Sequence, residues 1–265
     1  MNAALLAAES SGGGLHFPSI GHLLVWPGIL FDDTIFELNK VGLIYLFATI
    51  ATLTIFIVAG RRAALVPRGV QLVAESGVDF VRESVINQTI GPDGMKFMPF
   101  LLSMFFFILF SNITEVIPFI HFPANARMAF PFLLAMVVWV IYNTVGVMSQ
   151  GFFGYIKNSL VPPGVPGPLL IIVIPIEFVS TFIVRPFSLM VRLFANMLAG
   201  HLLLVTFAVL TAALWTKGPL FAIIWAPFVV LIGLTAFEIL VAFLQAFIFT
   251  VLTAVYIGGA MHPEH

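Results

Sequence analysis

Two apolar runs near the C-terminus constrain the fold more than any other feature of this sequence. One extends from about Gly167 to Trp215 and the other from Pro219 to Met261, and each contains more than 40 residues. As α-helices they would be upward of about 60 Å long, about twice the hydrocarbon thickness of a bilayer. Each run must therefore tilt strongly, bend or divide into two spans. Pro175, Pro186 and Pro227 provide places to bend.

Three shorter apolar runs come first, each with about the 20 residues that a membrane-spanning helix needs. They extend from Val41 to Gly60, from Pro99 to Phe119 and from Met128 to about Ser149. Hydrophobic residues make up 61% of the chain and charged residues only 9%, against about 25% in a soluble domain. The bilayer must solvate such a surface, so the sequence predicts a polytopic all-α membrane protein. Five runs predict five spans, and division of the two long runs would give seven.

Composition also excludes several classes of function. The net charge of −1 argues against a nucleic-acid partner. The absence of cysteine excludes a disulfide framework and thiolate metal sites. No HExxH, EF-hand, GxxxxGK[ST] or GxGxxG pattern occurs, so no metal, cofactor or nucleotide is expected on this chain. A self-contained soluble enzyme is excluded by the same composition.

Basic residues predict the orientation in the membrane. Arg61, Arg62, Arg68 and Arg82 all follow the first apolar run, whereas the segment before it is mostly acidic. By the positive-inside rule the N-terminal tail lies outside and the C-terminus inside. The tail, rich in Ser and Gly, is interpreted as an exposed segment and not as a cleaved signal peptide.

The segments between the spans have distinct patterns. Apolar residues recur at helical spacing from Val70 to Val85, with charged residues between them, which predicts an amphipathic helix. It would lie on the inner membrane surface or pack as a soluble helix on a partner. The prolines from Asn158 to Pro168 predict an inner loop. The predicted order is an N-terminal extracytoplasmic segment, a first transmembrane helix, an amphipathic segment, a transmembrane hairpin, a cytoplasmic loop and a long tilted helical hairpin, at 1–40, 41–60, 61–97, 98–150, 151–166 and 167–265.

A few polar side chains stand inside the apolar runs. They are Asn112, Glu115, Glu177, Arg185, Arg192, Asn196, His201, Glu238 and Gln245. An ionisable group in a span costs roughly 2.5–3.5 kcal/mol and marks a functional pathway by default. Structural explanations stay open for some of them. Glu115 and Arg185 could extend to an interface, and the asparagines could hydrogen-bond between helices.

Arg192 has the most informative setting of these residues. Arg192, Asn196 and Ala199 share one helical face, and the small Ala195 and Gly200 permit another surface to approach. A guanidinium keeps its proton, so it is a fixed positive charge that cannot relay protons. It can instead keep a passing carboxylate ionised.

The last run supplies complementary polar residues. Glu238 and Gln245 are seven residues apart and share a helical face. In an antiparallel hairpin, two residues at the same height are equally far from the turn, so their residue numbers have a constant sum. The pairs His201 with Glu238 and Arg192 with Gln245 have nearly the same sum, so each pair would lie at one height. The turn would then lie near residue 219, where the sequence has Lys217-Gly218-Pro219. His201 and Glu238 would form a titratable pair suited to proton relay, or alternatively a structural salt bridge.

The segments RLFANMLAGH and LQAFIFTVLTAVY, together with SNITEVIP and RPFSLMVR, resemble subunit a of the F-type ATP synthase. The resemblance implies a stator subunit that forms two proton half-channels and exchanges protons with carboxylates on a ring of c subunits. Arg192 matches the essential arginine that separates the channels. The resemblance also implies that polar neighbours or channel residues stand at Asn112, Glu115, Glu177, Asn196, His201, Glu238 and Gln245.

The resemblance further implies the partners of the chain. They are the c-subunit ring, b-type peripheral stalk subunits, the rest of the synthase, the lipid bilayer and protons. Nucleotide chemistry would lie on other chains, and a bacterial plasma membrane is preferred over a mitochondrial inner membrane. Two rivals stay open, of which the first is a stand-alone ion channel or secondary transporter, although no internal repeat supports it. The second is a structural membrane subunit of a respiratory complex whose charges serve only assembly.

Overall fold

The computed structural model describes residues 39–61, 64–117, 122–161, 164–215 and 224–261. Within these ranges the chain is almost entirely helical and contains no β-strand. Five helices are long and apolar enough to cross a membrane: Lys40–Arg61, Pro92–Ile113, Ala129–Gln150, Gly167–Leu214 and Trp225–Met261. The predicted all-α polytopic fold is therefore confirmed, with five candidate spans and not seven.

The helices are numbered in chain order. They are α1 Lys40–Arg61, α2 Val70–Val81, α3 Met98–Ile113, α4 Ala129–Gln150, α5 Phe152–Leu160, α6 Leu170–Val179, α7 Arg185–Leu214 and α8 Trp225–Met261. A π-helical turn at Ser180–Val184 joins α6 to α7, so the two form one continuous rod. A second π-helical turn, Arg82–Ile86, follows α2, and a 3₁₀ turn, Ala124–Ala126, stands between α3 and α4.

Helix α3 ends earlier than the apolar run predicts. The run continues to Phe119, which lies outside the described residues, whereas the helix ends at Ile113. The Ser111 hydroxyl donates to the carbonyl oxygen of Ile108, and the Thr114 hydroxyl donates to that of Ser111. Such local side-chain bonds compete with the helical backbone ladder. The chain consequently turns at this point, and Glu115 stands in the turn and not in a helix.

The amphipathic segment packs on the chain's own helices. Val81 and Val85 are completely buried, and α2 with its π-helical turn contacts α1, α3 and α8. Val70 and Val73, from the same predicted apolar face, stay exposed. The buried half of this face therefore belongs to the helix bundle, and only its beginning is left for lipid or another protein.

Helix α8 is the central element of the bundle. It contacts α3, α4 and α7. Its C-terminal half buries Phe249, Ala254 and Ile257, whereas Val229 and Ile232 near its start are more than half exposed. Helices α7 and α8 are antiparallel, because Asn196 meets Gln245 while Gly200, further along α7, meets Glu238, which comes earlier in α8. The predicted turn at Lys217-Gly218-Pro219 lies outside the described residues.

Pro186 shapes the junction between the rod and α4. It has no N–H group, so neither the carbonyl oxygen of Thr181, five residues earlier, nor that of Phe182, four residues earlier, receives its backbone bond. The Tyr142 hydroxyl donates to the Thr181 oxygen at 2.7 Å, and the Trp139 indole N–H donates to the Phe182 oxygen at 3.0 Å. The Arg185 N–H bonds to Ser180 in the π-helical turn, so this turn frees the Thr181 oxygen and the proline frees the Phe182 oxygen, and side chains of α4 supply the missing donors.

The other two predicted bend sites behave differently. Pro175 lies inside α6, and the helix continues through it. Pro227 lies in the first turn of α8, where the amide N–H groups have no intrahelical partner in any case. Pro227 therefore removes no backbone hydrogen bond from the described helix.

Replacing Tyr142 with Phe should lower the free energy of unfolding by about 1 kcal/mol, because a carbonyl in a membrane helix then lacks its donor. In a Pro186→Ala background the restored N–H comes within reach of the freed carbonyls, so the same replacement should cost much less. Unfolding titrations of the purified subunit in mixed micelles measure both differences. Equal losses in the two backgrounds would contradict the compensation.

Candidate functional site

A polar pocket lies where the end of α3 meets the middles of α7 and α8. It has room for about one water molecule. Its lining consists of Asn112, Glu115, Leu193, Asn196, Met197, Glu238, Val241, Ala242 and Gln245. Five of these nine are polar, and sequence patterns had marked all five. Such a concentration of polar groups among apolar helices is costly and indicates a functional site.

His201 lies against Glu115. The distance from His201 Nδ1 to Glu115 Oε1 is 3.3 Å, and both side chains are buried. The sequence predicted Glu238 as the partner of His201, from the register of the hairpin. The structure adds a carboxylate from a third element, which the register of two helices could not indicate. An imidazole and a carboxylate at this distance can exchange a proton.

Glu238 packs across α7 at Gly200, the residue before His201. A Cβ atom added at Gly200 would collide with the Glu238 carboxylate, so glycine leaves room for this group in its present position. The predicted level of Glu238 was thus accurate to one residue. Glu115, His201 and Glu238 together concentrate three titratable groups at one end of the α7–α8 contact.

Asn196 and Gln245 form the other end of the pocket. Asn196 Nδ2 donates to Gln245 Oε1 at 2.9 Å. The sequence placed Arg192 level with Gln245, whereas the observed bond is one helical turn further along α7. Gln245 is buried, and its Nε2 has no hydrogen-bond partner in the described part of the chain. Its two N–H groups remain available as donors beside the pocket.

Arg192 lies on the opposite side of α7 from the core. It is half-buried, and within the described ranges it has no hydrogen bond or ion pair. Ala195, Ala199 and Leu203 on the same face are exposed, whereas Leu193 is completely buried. The guanidinium therefore stands on a surface of small residues that the described chain leaves uncovered.

Two further charged residues lie outside the pocket. Glu177 is half-buried on α6, 15 residues before Arg192, which is about 22 Å along a helix axis. The Arg185 guanidinium lies 5.4 Å from the ring centroid of Tyr256 on α8, a cation–π distance. The structure thus brings five of the predicted channel residues into one pocket, with His201 beside them, and leaves Glu177 apart.

Sequence patterns missed two residues beside the pocket. Asn125 is completely buried, and its Nδ2 donates to Asn112 Oδ1 at 2.6 Å. The hydroxyl of Tyr45, on α1, donates to Asn125 Oδ1 at 3.0 Å. Asn125 stands between two apolar runs, where polar residues are ordinary, and Tyr45 counts as apolar in a hydropathy pattern. The polar end of a tyrosine within a span was the available signal, because a buried hydroxyl needs a partner.

Comparisons with known proteins cover nearly the whole described chain. The model of the ATP synthase A chain family matches residues 42–258, which include every residue of the pocket. ATP synthase subunit a of Rhodococcus erythropolis is 42% identical, over 100% of this chain and 95% of the relative. The subunit of Frankia alni is 45% identical, over 86% of this chain and 79% of the relative. That of Maricaulis maris is 43% identical, over 82% and 86% respectively.

Replacing Gly200 with Ala should displace the Glu238 carboxylate, the end of a flexible side chain, because the new methyl group overlaps it. This displacement should cancel part of the about 0.5–1 kcal/mol by which alanine favours a helix over glycine. Gly233→Ala on α8 is the matched control, because a Cβ there meets nothing within 4 Å and the full gain is expected. Unfolding midpoints in mixed micelles test both, and a Gly200→Ala midpoint equal to or above that of Gly233→Ala would contradict the close approach.

Proposed function

Because this chain belongs to the ATP synthase subunit a family, we propose that it is the stator subunit that moves protons past a rotating ring of c subunits. The family is a proton-translocating membrane subunit of the F-type synthase and carries no nucleotide chemistry. The observation that carries the finer proposal is the position of Arg192. An arginine without a partner in the described chain stands on an uncovered face, one helical turn from a buried polar pocket.

The outer half-channel is proposed to end at the titratable groups of the pocket. His201 Nδ1 and Glu115 Oε1 are 3.3 Å apart. Glu238 packs against Gly200, the residue before His201 on α7. A histidine changes charge nearer to neutral pH than any other unperturbed side chain, so a histidine beside two carboxylates suits proton relay. Asn112 does not titrate, and its proposed part is to hydrogen-bond the carboxylates.

Arg192 is proposed to separate the two half-channels. Its charge is permanent, so it attracts a ring carboxylate in the ionised form and cannot itself carry a proton through. Exposed Ala195 and Ala199 beside it let a ring helix approach closely. Asn196 comes one helical turn after Arg192, and its hydrogen bond to Gln245 lies at the pocket, where it would orient a proton acceptor. In this proposal, a proton crosses the membrane only while it is bound to a carboxylate of the rotating ring.

The inner half-channel is proposed to pass Glu177. Its separation of about 22 Å from Arg192 along the rod suits a path to the opposite side of the membrane. A membrane potential supplies about 2.3 kcal/mol per proton per 100 mV, which drives the ring in one direction. The proposed location is a bacterial plasma membrane, with the c-ring, b-type stalk subunits and lipid as neighbours.

Replacing Arg192 with Ala should abolish ATP-driven proton pumping in inverted membrane vesicles, because nothing then keeps the ring carboxylate ionised or the two paths apart. Quenching of a pH-sensitive dye measures the pumping. Arg185→Gln is the control, since Arg185 lies against Tyr256 and away from the uncovered face. It should keep most of the pumping. Coupled pumping in the Arg192→Ala complex at the parent rate would sink the proposal.

Replacing Glu238 with Gln should reduce proton flux per assembled complex by at least about a hundredfold, the lower end of the range for loss of a positioned acid–base group. Glutamine keeps the volume beside Gly200 but cannot take up a proton. The flux is normalised to the amount of intact complex on native gels. Normal flux per complex with less assembled complex would assign Glu238 to assembly alone.

A further inference from the structure

A polar network around Asn125 lies beside the pocket, and only one of its members, Asn112, belongs to the proposed path. Asn125, in the 3₁₀ turn between α3 and α4, is 0% exposed. The Tyr45 hydroxyl lies 3.0 Å from both Asn125 Oδ1 and the carbonyl oxygen of Ala124. This turn contacts α1, α3 and α7. A buried primary amide is costly unless it is paired, so the bonds of this one determine how it is held.

The bonds place the Asn125 amide in one orientation relative to Asn112. The Ser111 hydroxyl donates to the carbonyl oxygen of Ile108 and accepts from Asn125. Asn125 Nδ2 lies 3.1 Å from Ser111 Oγ and 2.6 Å from Asn112 Oδ1, and it donates to both. Its Oδ1 lies 3.0 Å from the Tyr45 hydroxyl. Rotating the Asn125 amide while Asn112 stays fixed would bring its oxygen against Asn112 Oδ1.

The orientation of Asn125 determines that of Asn112. Asn112 Oδ1 accepts from Asn125, so Nδ2, with its two hydrogens, occupies the other edge of the amide. Asn112 lines the pocket together with Glu115 and Glu238, whose ionised carboxylates can only accept. A donor edge next to these groups favours their ionised form, whereas the carbonyl edge would oppose it.

From this geometry we infer that Asn125, held by Tyr45, is a positioning residue for the outer proton path. It turns the Asn112 amide so that N–H groups, and not the oxygen, meet the pocket carboxylates. The inference rests on the proposed function. It adds α1, through Tyr45, to the elements that hold the residues of the proton path in position. Neither Asn125 nor Tyr45 touches the proton, and both act through Asn112.

Charged groups on every neighbouring element also act on this region. They are Lys40 on α1, Glu115 after α3, Arg127 after the 3₁₀ turn, Arg192 and His201 on α7, and Glu238 on α8. Lys40 acts electrostatically on His201, and Arg127 acts on Tyr45. All six remain in the variants below, so a change in pH dependence reports the altered amide and not a removed charge.

The test uses the complete synthase in liposomes with its nucleotide-binding sector outward, so that the lumen faces the outer path. The initial rate of ATP synthesis is measured against luminal pH, with the total driving force held constant by a potassium gradient. Asn125→Ala should move the luminal pH of half-maximal rate upward by about 0.5–1 unit, the size that loss of one hydrogen bond gives. Without the donor edge, the pocket groups take up protons at higher pH.

Three further variants separate positioning from packing. Tyr45→Phe has the same shape and should move the profile in the same direction by a smaller amount. Asn112→Ala should shift it as Asn125→Ala does, and the double variant should shift no further, because the two residues act in series. Tyr155→Phe is the matched control. It removes a tyrosine hydroxyl that lies 3.1 Å from an asparagine oxygen, Asn143 Oδ1, away from the pocket, and should leave the profile in place.

A lower rate with an unmoved profile in both Asn125→Ala and Tyr45→Phe would assign these residues to packing and overturn the inference. Additive shifts in the Asn112–Asn125 double variant would do the same. The Arg192→Ala complex in the same liposomes separates the two levels of argument. If it makes ATP at the parent rate, the proposed function fails. If it is inactive while the profiles stay unmoved, only the role of Asn125 fails.

Discussion

Hydrogen-bond satisfaction of polar groups in an apolar environment is the constraint on which the rest of this structure depends. Pro186 and the π-helical turn before it leave two carbonyl oxygens of the α6–α7 rod without backbone donors, and α4 docks where Trp139 and Tyr142 can donate to them. The polar end of α3 likewise turns back on itself through Ser111 and Thr114. Lipid offers no such partners, so each freed group selects a neighbouring element. These few hydrogen bonds therefore help to determine where the helices contact one another.

Polar groups without a hydrogen-bond partner in the described chain lie along the proposed proton path. Gln245 Nε2 is buried without a partner among the described residues, and Arg192 stands on an uncovered face. Both are costly in a membrane protein, and neither cost is relieved within the described chain. A ring carboxylate that arrives at this face would relieve it for part of each cycle. In the proposed function, the unsatisfied groups mark where a moving partner binds, whereas the satisfied ones keep this chain rigid.

The site combines elements that are far apart in the sequence. Helices α7 and α8 supply the arginine face and most of the pocket, whereas Glu115 comes from the turn after α3. Asn125 and Tyr45 connect this turn to the first helix. The early helices are therefore more than membrane anchors, because they determine which edge of Asn112 the titratable groups meet. A functional surface on two helices depends on a rigid support from at least two others.

Hydropathy alone determined the fold class and the identity of the costly polar residues, because an apolar run of sufficient length has only one stable form in a bilayer. It left five or seven spans open, and the structure decided for five candidate spans in the described residues. Register within the hairpin also followed from the sequence, to within about one turn, since consecutive antiparallel helices leave a single free offset. Only the tertiary structure decided that His201 meets Glu115, that Gln245 bonds Asn196 and not Arg192, and that Asn125 orients Asn112. Some of these contacts join elements that are not consecutive in the sequence, and others depend on how a helix is rotated about its axis. Side-chain packing and the early end of α3 determine these arrangements, and the periodicity of the sequence predicts neither.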